Sequence, residues 1–150
     1  MQFRESLTPE TDRGCAVAAA AFIDEEPKVL LMSALANETK LIEQAVSQSG
    51  PLANFSARID FALLMGLLSR AVWRDLHLIR KIRNDFAHSP APLAFDADPI
   101  SSRCGELSHS WREKDASPRH HFTSATCGTL ACIHASLSRT KRLETGNFDR

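Results

Sequence analysis

The residues best suited to chemistry lie close together, in Arg83-Asn84-Asp85-Phe86-Ala87-His88, just ahead of Ser89-Pro90-Ala91-Pro92. An imidazole exchanges protons near neutral pH, and a guanidinium stabilises charge developing on a phosphate. Asn84 and His88 stand four residues apart, so on a helix their side chains can meet directly. The same residues can instead serve the fold, with Arg83 paired to an acid such as Asp60 or Asp12 while Asn84 and His88 finish the helix end. A third use is to bind a ligand or partner without catalysis.

A helical wheel at about 100° per residue, counted from Val72, shows what must position them. Val72, Leu76, Ile79 and Phe86 fall within about 40° of zero and make a core stripe. Arg83 lies at about 20°, inside that stripe. A guanidinium there needs a carboxylate, backbone carbonyls, a partner subunit or a bound anion. A second face, at about 80–160°, carries Trp73, His77, Arg80, Asn84 and His88.

Arg83, Asn84 and His88 have the spacing of the Arg-polar-x-x-x-His motif of HEPN ribonucleases, which this segment resembles. That resemblance implies two copies meeting across a helical dimer interface and cleavage of RNA without metal, with the neighbouring 2′-hydroxyl as nucleophile. Arg and His five apart also occur by chance. The late position on an amphipathic helix and the Asn in second place add specificity.

The surrounding elements read as helices. Thr11 or Thr8 can cap a helix running to about Leu35, with Asp12 in its first turn and Pro27 expected to kink or restart it. Glu38 to Ser49 forms a short helix stopped by Gly50-Pro51. Asn54 caps the next, whose stripe is Phe55, Ile59, Leu63 and Leu67, and Ser69 can end that helix or cap the following one, from about Arg70 to Ala87. So short a link predicts an antiparallel hairpin. Asp98 and Pro99 open a short helix within residues 93–106, and a last helix runs from about Thr123 to Lys141. The expected fold is all-α, a compact bundle of five or six helices around a central antiparallel hairpin. A tail covers 1–10, a single domain 11–142 with a loop at about 107–122, and a second tail 143–150.

The chain has 150 residues with 43% apolar content, enough for one core. It has 18 Lys+Arg against 18 Asp+Glu, which disfavours a broad nucleic-acid coat or a polybasic membrane binder. The balance is uneven, with four basic and eight acidic groups in residues 1–48, but five basic and two acidic in residues 70–88. Neither a signal peptide nor an apolar run of spanning length is evident, so a cytoplasmic protein with reduced thiols is expected. Cys127, Cys132 and His134 match no zinc-finger spacing, and Cys15 reads as a core residue; no metal or cofactor is expected.

Thr11-Asp12-Arg13-Gly14-Cys15-Ala16, Gly50-Pro51-Leu52 with Phe55-Ser56-Ala57-Arg58-Ile59, and the run from Asp75 to His88 resemble the mannitol operon repressor (MltR-like) family. Phe95-Asp96 and the helix to Cys104 also fit it. Pro27 and the stretch from Ser108 to Arg119 depart from its pattern. The resemblance implies an all-helical bacterial transcriptional regulator without an evident DNA-reading motif. Regulation through protein contacts is therefore expected, by a protein partner or a homodimer, with Arg58, His77, Arg80 and Arg83 as binding residues. Direct DNA binding is not expected. The alternative is a metal-independent endoribonuclease using Arg83, Asn84 and His88.

Overall fold

Four of the helices begin on a side-chain oxygen that accepts a backbone N–H of their first turn, which satisfies a donor the helix itself cannot. In the computed structural model, which describes residues 2–111 and 115–146, these are α2 (Asp12–Ala34), α4 (Phe55–Leu64), α5 (Arg70–His88) and α7 (Pro118–Leu137). Thr11 accepts from Gly14 at 3.1 Å, Asn54 from Ala57 at 2.8 Å, Ser69 from Val72 at 3.2 Å and Ser117 from His120 at 3.2 Å. Shorter helices α1 (Gln2–Leu7), α3 (Thr39–Val46) and α6 (Ile100–Gly105) make seven in the described residues, all-α as expected but one more than the upper count.

The extra helix is α1, where a tail was expected. Leu7 is buried, and Arg119 of α7 reaches across to it, donating to the carbonyls of Leu7 at 2.9 Å and Glu10 at 2.6 Å and to Asp12 at 2.9 Å. Residues of the second expected tail are also held, since Leu143 N–H donates to Ala34 O at 2.7 Å; residues 147–150 lie outside the described ones. Pro27 sits inside α2, which is continuous through it. A mid-helix proline costs about 3 kcal/mol, and the full burial of Ile23, Leu30 and Leu31 on both sides offsets it. α7 starts earlier than expected, with Pro118 in its first turn behind Ser117, a start signal present in the sequence.

α2 packs against α1, α4, α5 and α7, so it is the centre of the bundle, with the α4–α5 hairpin on one side. The hairpin turns at Gly66, whose φ of 71° suits a residue without a Cβ. Gly66 N–H donates to Leu63 O and Leu67 N–H to Ala62 O, both at 2.9 Å, which closes α4 in a Schellman cap. Phe95, in the segment between α5 and α6, stacks between Phe86 and Phe122 at ring-centroid distances of 4.9 and 5.1 Å and ties that segment to α5 and α7.

Among the described residues one buried hydroxyl is unpaired. Thr129 Oγ1 on α7 has no hydrogen-bond partner, whereas Thr126 Oγ1 donates to Phe122 O at 2.8 Å. Thr129→Val should therefore raise the unfolding free energy by about 1 kcal/mol, measured by urea titration. Thr126→Val should not. Loss of stability at Thr129 would mean that its oxygen does make a needed contact.

Candidate functional site

α4 and α5 run antiparallel, so Asp60 faces Trp73 and His77 across the hairpin. Asp60 Oδ1 accepts from Trp73 Nε1 at 2.8 Å and lies 2.8 Å from His77 Nε2. The two rings meet edge to face at 4.8 Å, and the Arg70 guanidinium lies 5.8 Å from the Trp73 ring centroid. Partial burial pushes the Asp60 carboxyl up, but hydrogen bonds from Trp73 and His77 and the charges of His77 and Arg80 outweigh it. The carboxyl is held below its ordinary value, so the clamp persists as pH falls and is lost only when Asp60 protonates. Leu64, four residues after Asp60 on α4, is 82% exposed.

Arg58 does not join this face. It is 5% exposed, donates to Asp24 at 2.6 Å and to the carbonyls of Leu52 at 3.2 Å and Ala53 at 2.8 Å, and so fastens α4 and the preceding turn to α2. Its expected binding role gives way to a structural one, because the side chain is buried and both of its amino groups already donate within the fold. Arg80 is half-buried beside His77, and its charge reaches Asp60. Arg83 is also half-buried, and neither acid expected for it is its partner. Asp60 serves Trp73 and His77, while Asp12 serves Arg119 and the N–H of Phe95.

Asn84 and His88 come together on an open cleft of about 400 Å³ with Asp85, Ser89, Leu93, Pro99 and Ile100. His88 is exposed, at the end of α5. Arg83 is not among the lining residues. Beneath, Asp85 forms an ion pair with Arg103 of α6.

Sequence reasoning missed a second polar centre. Asp75 is fully buried, and its carboxylate accepts from Ser108 N at 2.9 Å, His109 N at 2.9 Å and His109 Nδ1 at 2.7 Å. The signal was partial, since Asp75 falls about 60° from the wheel origin, at the border of the apolar stripe. The turn it holds lies directly under α7, where a Cβ on Gly128 would stand 2.5 Å from His109 O.

Cys15 and Cys104 are buried, and desolvation raises both thiols, Cys104 to about 12, which makes them unreactive. Among the described residues no three His, Cys, Asp or Glu side chains stand close enough to hold a metal ion, and no helix is long and apolar enough to cross a membrane.

The mannitol repressor family model, MtlR, matches residues 5–143. Mannitol operon repressors of Escherichia coli strain K12 and of an O6:H1 strain are each 24% identical over 102 residues, which is 65% of this chain and 52% of theirs. The chain thus spans about half the length of the curated relatives it matches. Among solved structures, the MtlR–HPr complex from Escherichia coli contains a chain of the same fold, with a TM-score of 0.64 and 17% identity over 92% of this chain and 95% of that one.

Proposed function

The chain belongs to the mannitol repressor family, and from that premise we propose that it is a transcriptional regulator that acts by docking a protein partner on its α4–α5 face. The observation that carries this reading is the preformed clamp of Asp60, Trp73 and His77 beside exposed Leu64. Tryptophan and arginine are the residue types that dominate binding energy at interfaces, and a side chain already held in place loses little entropy on docking. The related fold solved in complex with HPr supports a protein partner and makes HPr the first one to test.

Calorimetric titration with HPr is expected to show saturable binding by the wild-type chain. Leu64→Asp, at a position so exposed that the fold does not need it, should weaken that binding about tenfold or more. Equal affinity of the variant would remove this face from the interaction. No heat with the wild type would remove HPr as the partner.

The second reading is metal-independent RNA cleavage, favoured by the meeting of Asn84 and His88 on an open cleft. It requires activity in the wild type without added metal and its loss in His88→Ala. Equal inactivity of the two dismisses it.

A further inference from the structure

The carboxylates around α5 are already engaged. Asp75 holds the turn at Ser108 and His109, Asp85 pairs with Arg103, Glu106 pairs with Arg74 at 3.0 Å, and Asp60 serves Trp73 and His77. Among the described residues neither Arg80 nor Arg83 has a carboxylate within ion-pair distance, although the Arg80 charge acts on Asp60 from further off. They are three residues apart, hence neighbours on the helix surface, and Arg80 is in turn three from His77. Both arginines are half-buried, and Arg80 Nε is fully shielded with no partner, so its stem is packed in place. The amino groups of Arg80 make no hydrogen bond and are not among the shielded, unpaired atoms, so they reach solvent.

Resting on the protein-docking reading of this face, we propose that Arg80 and Arg83 together receive an acidic side chain, Asp or Glu, presented by the protein partner. A guanidinium fork accepts a carboxylate through two parallel N–H donors, and a packed stem has already lost its rotamer freedom. A protein acid fits better than a nucleic acid. Binding to phosphate chains needs a long basic track, and here Arg74 is neutralised by Glu106 while Arg70 lies against Trp73.

The test uses the whole chain with NMR observation of arginine Nε–H signals, and blocked hexaglutamate peptide as the probe. Hexalysine, hexauridylate and sodium phosphate form the comparison arms. Hexaglutamate is expected to shift the Arg80 and Arg83 signals saturably, and about 0.5 M salt should reverse the shift. Arg83→Gln should weaken binding about tenfold. Arg80→Lys, which keeps the charge without the fork, should weaken it as well, with urea midpoints confirming that both variants fold. Absence of a saturable shift overturns the proposal. So does tighter binding of hexauridylate, which would assign the pair to RNA, or saturation by phosphate at the same concentration, which would mark an adventitious ion only. HPr separates this proposal from the wider reading. If HPr binds the wild type and the Arg80→Gln/Arg83→Gln variant equally, the acid-receiving role falls while protein docking stands. If HPr does not bind but hexaglutamate does, the acid-receiving role stands and HPr is not the partner.

Discussion

Asp75→Ala is expected to cost about 3 kcal/mol of stability. The carboxylate is fully buried on α5, and everything that touches its oxygens is a donor: two backbone N–H groups and the His109 imidazole. Alanine leaves those donors facing a space without an acceptor. For a chain of this length the loss lowers the melting temperature by about 6–12 °C. Asp75→Asn keeps the shape, but its NH2 group turns one acceptor into a donor against donors, so it should cost nearly as much. Thermal melts of the two variants decide the matter. Wild-type stability in Asp75→Asn would mean that shape, and not acceptor capacity, holds the turn. Binding by the α4–α5 face should be preserved in whichever variant remains folded, because Asp75 lies on the opposite side of the α5 wheel from Trp73 and His77.

Phe95→Ala should cost about 3–5 kcal/mol, the range for removing a fully packed aromatic ring. Phe95 is 2% exposed and stands between Phe86 and Phe122, so its loss opens a cavity lined by two rings that belong to different helices. Its backbone N–H also donates to Asp12 at 3.0 Å, a bond that alanine can keep only if the segment stays in place. Phe95→Leu fills most of the space and should cost less than half as much. Because residues 89–99 form one wall of the cleft at Asn84 and His88, amide exchange should accelerate there before it does in α2. A loss below about 1 kcal/mol in Phe95→Ala would show that the segment is not held by this ring.

How far the sequence carried can be judged at particular residues. The caps at Thr11, Asn54 and Ser69 are legible because an N-cap acts within three residues. The buried set Val72, Leu76, Ile79 and Phe86 is legible because helical periodicity is a local property. The hairpin follows from the short link, although its turn is made by Gly66. The face of Trp73, His77 and Arg80 was likewise readable as a face. Its acid, Asp60, was not, for the wheel orders side chains around one helix and is silent about the helix beside it.

What the sequence by itself determined is therefore the all-helical class, most helix starts, the inner stripe of α5 and the family; the stripe read for α4 fails at its end, because α4 stops at Leu64, before Leu67, and buries Ala62 and Arg58 instead. Tertiary structure alone decided which charges remain available. Arg58 and Asp24 are 34 residues apart, and Arg119 and Asp12 are 107 apart, yet each pair closes below 3 Å. Those contacts turn Arg58 into a fastening for α4 and convert the first residues from a tail into a helix. Among the described residues they leave Arg80 and Arg83 without a carboxylate at ion-pair distance. The physical reason is one of range. Helix propensity and amphipathic period act over one or two turns, whereas the partner of a charge depends on how helices pack, which no local pattern encodes.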